Sequence, residues 1–263
     1  MTDSNLFTQS HTKKHRRFFI PMNRTNLKLY GCVTMLFYTI GVSVFQNGLL
    51  HYDQFQTGEL ALALKTNSDL MVLAGWASIF QLIGGLSIPV YAFLLVEGFI
   101  HTSNPRHYLM RMLLFAVLSE IPYDLAMSGT IWDPSSQNVL FTLAVAFVML
   151  YGLRYLSMGK SVWIPILQIA VILAALFWCR VLQCNFALCM ILLAAVYYLA
   201  YEQNGIRILI GCAVSILYVT APLSGYVLWN YTGEQGRYIN KYVFYLFYPL
   251  HLLLLGLTAH LLK

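Results

Sequence analysis

Four charged residues fall where charge is expensive. Glu97, Arg111, Glu120 and Asp124 lie in or at the edge of two apolar runs that make up LIGGLSIPVYAFLLVEGFIHTSNPRHYLMRMLLFAVLSEIPYD, residues 82–124. On insertion scales an ionised side chain at the centre of a bilayer costs about 2.5–3.5 kcal/mol, so such groups pair with one another or line a cavity. Glu120 and Asp124 are spaced i,i+4 and share one helix face if the helix survives Pro122. Two close carboxylates raise one pKa, which suits general acid/base work. The plainer reading is that Glu120 pairs with Arg111 or caps a helix end. Glu97 stands one turn before His101, and its modest reading is a salt bridge to Arg106 or Arg111 across the turn HTSNPRH; the sharper one is contact with a charged substrate entering from the cytoplasm. Gln137 and Asn138 can reach the same outer vestibule as Asp124, although alone the pair reads as an ordinary helix start. His251 lies about ten residues into the last apolar run, two after Pro249, near mid-membrane. A base or proton relay suits its ordinary pKa, and a neutral ring bonded to a neighbouring carbonyl is the plainer alternative.

The elements that must hold these residues are membrane spans. Of 263 residues, 59% are hydrophobic and 10% charged, and the mean hydropathy is +0.66. A soluble domain carries about a quarter charged residues. The apolar runs are continuous rather than alternating, which excludes a transmembrane barrel. The fold class is therefore all-α and polytopic. At ~20 residues per span the chain has room for about eight spans, with nine as the alternative. Residues 1–26 form a basic tail and residues 27–263 one transmembrane domain.

The net charge of +6 is uneven. Lys13, Lys14, Arg16 and Arg17 cluster near the start, with Arg24 and Lys28 behind them, and this reads as a signal that keeps the amino end in the cytoplasm. No folded basic surface accompanies the cluster, so nucleic acid is not an expected partner; the lipid bilayer is. The first run, Leu29–Leu50, is an uncleaved span rather than a signal peptide. Leu60–Leu64 forms an interfacial patch, and Met71–Phe80 is either an interfacial helix or the first half of a long span broken near Gly84-Gly85 and kinked at Pro89. Further spans follow at Tyr108–Pro122, Asn138–Leu156, Val162–Trp178 and Asn185–Tyr201, and the last at Tyr242–Leu262. Ile206–Trp229 reads as one tilted span or as a span plus a half-helix broken at Pro222. These choices conflict: Arg237 and Lys241 place the loop NYTGEQGRYINK in the cytoplasm, whereas a single span before it would put that loop outside. Cys179 and Cys184 flank a tight turn and could bridge if it faces outward; none of the five cysteines has metal spacing. Walker A, GxSxG and HExxH motifs are absent.

Three stretches together resemble the TraX family: residues 82–124 quoted above, then QNVLFTL, then TGEQGR followed by KYVFYLFYPLHLLLLGL. They occur in the family order across nearly the whole chain. The resemblance implies a multi-pass protein of the bacterial inner membrane, akin to multispanning acyltransferases that draw on a cytoplasmic acyl donor. It also implies a link to N-terminal acetylation of conjugative pilin. Positions that carry over are Glu97, His101, Arg111, Glu120, Asp124, Gln137, Asn138 and His251. Three departures stand out. Tyr38-Thr39 occupies the place of an Asp-His pair, Gly85 replaces an arginine, and Cys184–Cys189 replaces a DYGxxG stretch. The expected function is acyl transfer from acetyl-CoA or another acyl-CoA to a membrane-associated amine or hydroxyl such as a pilin-like peptide. His251, Glu120 and Asp124 would be catalytic, with Glu97, His101, Arg111, Gln137 and Asn138 binding substrate. The alternatives are an inactive scaffold that binds a peptide, lipid or protein, and a small-solute transporter.

Overall fold

A computed structural model describes residues 22–55 and 59–262; the basic cluster at Lys13–Arg17 lies outside them. Twelve α-helices organise the described residues, and two isolated bridges, Met22 to Tyr231 and Gln137 to Cys184, are the extended pairings among them. Helix α1 (Arg24–Thr39) widens into a π-helix over Ile40–Leu49. It is followed by α2 (Glu59–Thr66), α3 (Ser68–Gly85), α4 (Ser87–His101), α5 (Pro105–Leu118) and α6 (Glu120–Met127). Then come α7 (Val139–Ser157), α8 (Ile164–Val181), α9 (Ala187–Leu199), α10 (Asn204–Ser215), α11 (Ser224–Trp229) and α12 (Lys241–Leu262). Four starts share one device: the side chains of Asn23, Asn67, Asn104 and Asn138 accept from backbone N–H groups of the first turn. Among the described residues, five stretches are long and apolar enough to cross a membrane: Arg24–Leu49, Ser68–His101, Val139–Ser157, Ile164–Val181 and Tyr242–Leu262.

Two prolines break helices three residues ahead of themselves. Pro89 cannot donate to the carbonyl of Gly85 and its ring crowds that carbonyl, so the α3–α4 break falls at Leu86. Pro122 does the same to Leu118, and the α5–α6 break falls at Ser119. Each proline then sits in the first turn of the following helix, where a missing N–H costs little. The kink expected at Pro89 is thus an interruption at Leu86, and Met71–Phe80 is the middle of α3 rather than a separate element. Pro249, by contrast, sits inside α12 without ending it.

Helix α4 is the hub. Ten of its fifteen residues are buried. Phe99 packs edge-on to Phe147 of α7 at 5.1 Å and Phe93 edge-on to Tyr197 of α9 at 5.5 Å. Helix α1 runs antiparallel to the α3–α4 pair, with Gly31 facing Val90 and Tyr91 while Gly84 faces Tyr38. Helix α8 lies at the periphery, with Ile166, Leu173 and Phe177 exposed, as a lipid-facing helix requires.

The stretch Ile206–Trp229 is a hairpin. Helix α10 ends at Ser215, a 3₁₀ turn forms at Ala221–Leu223, and α11 comes back beside α10, with Gly225 pressed on Cys212 and Trp229 beside Gly205. The hairpin tip docks on the α3–α4 break: the Thr220 hydroxyl donates to the Leu82 carbonyl and the Ser224 hydroxyl to the Leu86 carbonyl at 2.6 Å. Broken backbone inside a bilayer needs such donors from neighbouring helices. The loop after α11 therefore returns to the end of the bundle where α1 begins. There Arg24 N–H donates to Glu234 at 2.8 Å, and the Thr25 hydroxyl to the carbonyls of Gln235 at 2.8 Å and Arg237 at 2.7 Å. The conflict between span count and loop charge disappears: the stretch does break at Pro222 into a longer and a shorter helix, as the second form had it, but the shorter one folds back beside the longer instead of continuing across.

Candidate functional site

At the basic end of the bundle, α1, α4, α5, α7 and α12 enclose a cavity of about 370 Å³. Its charged lining comprises Arg24, Lys28, His101, Arg111 and Glu97, set among apolar walls such as Leu94, Met112 and Leu143. Arg24 and Lys28 share a face because they are four residues apart on α1. The Nε groups of Arg24 and Arg111 are buried without a hydrogen-bond partner, so each retains a free donor. Glu97, the one carboxylate of the lining, is 5% exposed and already engaged. Arg207 Nη1 of α10 lies 3.7 Å from Oε1, His101 Nδ1 lies 3.7 Å from Oε2, and the Tyr231 hydroxyl donates to Oε2 at 3.5 Å. The partner expected across the turn, Arg106 or Arg111, is thus replaced by Arg207, which the hairpin brings from far along the chain. Arg207 is itself held between Phe93 at 4.7 Å and Tyr201 at 5.0 Å. With Glu97 so paired, the cavity presents net positive charge.

A second, smaller pocket of about 40 Å³ lies deeper and shares Met35, Tyr91, Val139 and Tyr248 with the first. Tyr38, Thr39, Tyr123, Asn185 and Leu252 complete much of its wall. His251 of α12 stands beside it, 6% exposed. Its Nδ1 lies 2.7 Å from the Phe247 carbonyl and its Nε2 3.2 Å from the Thr39 hydroxyl. A carbonyl only accepts, so Nδ1 carries the proton of the neutral ring and Nε2 presents a lone pair. The carbonyl bond of the plainer reading is present, and it orients the ring.

Helix α6 carries Glu120 and Asp124 next to α12, with Tyr123 and Tyr248 in one apolar cluster. The pair shares a helix as the spacing required, but Glu120 pairs with Asn138 and not with Arg111. The Asn138 side-chain amide donates to Glu120 Oε2 and, at 2.8 Å, to the Ala116 carbonyl, which the Ser119 N–H also reaches at 3.2 Å. Its carbonyl oxygen caps α7 by accepting from Leu140 N–H at 3.0 Å. Asn138 is both helix start and site partner. Glu120, 8% exposed, keeps Oε1 buried without a partner. Asp124, 2% exposed, accepts from the Asp133 N–H at 3.0 Å. Asp133 lies in the loop between α6 and α7, where hydrogen bonds from Ser135 hold its carboxyl below the usual range. Gln137 serves through its backbone, pairing with residues 183–185, and its side chain takes no part in the cluster. Asn185 adds a side-chain bond to the Tyr123 hydroxyl. Cys179 and Cys184 are free thiols joined through backbone, Cys184 N–H to the Cys179 carbonyl at 2.8 Å.

The predicted residues thus form two groups. Glu97, His101 and Arg111 meet at the large cavity, while Glu120, Asp124, Asn138 and His251 gather around α6 and α12. Glu120 and His251 line neither space directly; Tyr123, Tyr248 and Thr39 stand between. Sequence reasoning missed Arg24 and Lys28 as lining, although their spacing on an apolar helix signalled a shared face. It also missed Arg207, for which no local signal exists, and it noted Thr39 only as standing, with Tyr38, where the family has an Asp-His pair.

Comparison with known proteins agrees with this architecture. The family model described as TraX protein matches residues 56–259. The chain is also 29% identical over 227 residues to the "Probable fimbrial assembly protein FimC, serogroup H1" of Dichelobacter nodosus, covering 74% of this chain and 90% of that protein. No solved structure matches. The extent of the family match places this membrane protein in the TraX family.

Proposed function

We propose that the protein transfers an acyl group, from acetyl-CoA or another acyl-CoA, to an amine or hydroxyl on a small membrane-associated peptide of pilin-like kind. The carrying observation is the basic cavity separated by four shared residues from the pocket beside His251. Guanidinium and ammonium groups recognise phosphates, and Arg24, Lys28 and Arg111 supply three such groups on one cavity. A volume of 370 Å³ falls in the usual range for a ligand site. By charge, this end of the bundle faces the cytoplasm, where acyl-CoA is found. The printed name of the FimC relative supports a pilus-related acceptor.

In this reading His251 Nε2 takes the proton released when the acceptor attacks the thioester carbonyl, while the Phe247 carbonyl keeps the ring in the required tautomer. Glu120 and Asp124 attract an ammonium acceptor from the opposite end and take up its excess proton. Topology follows. Because the α10–α11 hairpin enters and leaves on one side, it adds no crossing, and the other seven of the about eight expected spans leave an odd number. The amino end then faces the cytoplasm and the carboxyl end the outside.

A non-catalytic scaffold is the second reading, favoured by Tyr38-Thr39 standing where an Asp-His pair is usual. The test is release of free thiol from acetyl-CoA by purified protein in lipid with an amine-bearing pilin-like peptide. General acid/base groups contribute about 10²–10⁴-fold, so His251→Ala should nearly silence turnover. Glu120→Gln and Asp124→Asn should reduce it. A folded wild-type protein that releases no thiol supports the scaffold.

A further inference from the structure

We infer that Thr39 is the nucleophile that carries the acyl group, paired with His251 as its base, so that transfer runs through an acyl-threonine ester. The inference rests on the acyl-transfer reading above and adds a residue to which that reading gives no role. Three parts of an activated nucleophile are in place. The Thr39 hydroxyl lies 3.2 Å from His251 Nε2, within the reach such pairs need. Nδ1–H donates to the Phe247 carbonyl at 2.7 Å, which leaves Nε2 free to accept. The imidazole plane is fixed by Phe247, stacked at 4.7 Å, and by Tyr248, edge-on at 5.7 Å.

Location supports the chemistry. Thr39 is 1% exposed and His251 6%, so water is excluded from the pair. Thr39 lines the 40 Å³ pocket, which has room for roughly two or three water-sized groups. That suits the end of a short acyl chain. A donor held by Arg24, Lys28 and Arg111 reaches this pocket past Met35, Tyr91, Val139 and Tyr248. Thr39 is also the last residue before α1 widens into its π-helix, a backbone irregularity found often at functional sites. The bland alternative is a threonine that merely bonds back to its own helix, since its hydroxyl also reaches the Met35 carbonyl at 3.2 Å. One hydroxyl proton cannot satisfy both acceptors fully, and rotation of the O–H selects between them.

The steps balance. Thr39 Oγ1 attacks the thioester carbonyl as its proton passes to His251 Nε2. The carbon–sulfur bond then breaks, and the departing sulfur takes that proton to leave as a free thiol. The acceptor nitrogen or oxygen next attacks the threonine ester while His251 takes its proton. The carbon–oxygen bond breaks, and His251 returns the proton to Thr39.

The test is intact-mass and peptide-mapping mass spectrometry of the full chain in lipid nanodiscs after incubation with acetyl-CoA and no acceptor. One acetyl group on the peptide containing Thr39 is expected for the wild type. Thr39→Val, close in shape but lacking the hydroxyl, should show none and lose about 10²-fold or more in thiol release. Thr39→Ser should regain the adduct, and size-exclusion profiles establish that each variant is folded. Thiol release that persists unchanged in Thr39→Val, or an acetyl group found only elsewhere, overturns the threonine intermediate and leaves acyl transfer standing. A wild type that neither acquires acetyl nor releases thiol overturns both.

Discussion

Replacing Arg207 with methionine should destabilise the protein more than any other single change at the basic end. The Arg207 and Glu97 side chains are 9% and 6% exposed and lie 3.7 Å apart. Methionine keeps much of the packing against Phe93 and Tyr201 while removing the charge. Glu97 would then stay buried with only the Tyr231 hydroxyl and His101, whose side chain is 48% exposed, beside it. Breaking a buried pair by removing one partner costs about 3–5 kcal/mol, whereas replacing both partners with neutral groups of similar shape is often close to neutral. The reverse change, Glu97→Gln, should cost less, because Arg207 keeps two aromatic faces worth about 0.5–2 kcal/mol each. The double variant should recover much of the loss. Reversible unfolding in mixed micelles, read by tryptophan fluorescence, gives all three values and the coupling between them. If Arg207→Met costs under about 1 kcal/mol, or if the double variant equals the sum of the singles, the buried pair does not anchor the hairpin.

Asn138→Leu removes the donor shared by the Ala116 carbonyl and Glu120, and at about 1–3 kcal/mol per unsatisfied buried group the same unfolding assay should register at least one such loss. Thr220→Val with Ser224→Ala undocks the hairpin tip from Leu82 and Leu86; cysteine labelling placed on α11 should rise while the α7–α9 core stays protected. Gly41→Val places a side chain where even a Cβ would lie 2.9 Å from the Ala77 carbonyl, so overpacking should cost about 1–3 kcal/mol by unfolding. Reporters in the loops around Glu202 and Glu234, which flank the α10–α11 hairpin, should face the same side, with a reporter after Leu262 opposite; Glu202 and Glu234 on opposite sides contradict the hairpin.

What was legible in the sequence tracks how local each cause is. The helical class follows from apolar runs, and the Asn138 cap from its place just before one of them, whereas the caps at Asn23, Asn67 and Asn104 were not singled out. Pro89 and Pro122 announced broken helices, but the breaks fall at Leu86 and Ser119, because proline acts on the carbonyl four residues before it. Glu97, Glu120 and Asp124 were recognised as buried, and they are, with Arg111 half-buried, yet the partners of Glu97 and Glu120 were misassigned. Glu97 meets Arg207 and Glu120 meets Asn138 through packing between distant helices, which spacing along one helix does not encode. The apolar length of Ile206–Trp229 fits a span, and only docking of Thr220 and Ser224 on the α3–α4 break reveals a hairpin. Thr39 was noted only as a departure, standing with Tyr38 where the family has an Asp-His pair. A threonine in an apolar helix is ordinary until α12 sets an imidazole beside it.

The central claim is that the basic cavity seats an acyl-thioester donor, and a binding titration tests it most directly. Purified protein in neutral-lipid nanodiscs, titrated with a non-hydrolysable thioether analogue of acetyl-CoA, should bind it saturably. Each of Arg24→Gln, Lys28→Gln and Arg111→Gln should weaken the affinity by about 10–100-fold, the range of a charge-assisted hydrogen bond of about 1.5–3 kcal/mol. Changing Arg106, which does not line the cavity, should leave the affinity unaltered. Absence of binding, or binding indifferent to all three cavity cations, would contradict the account.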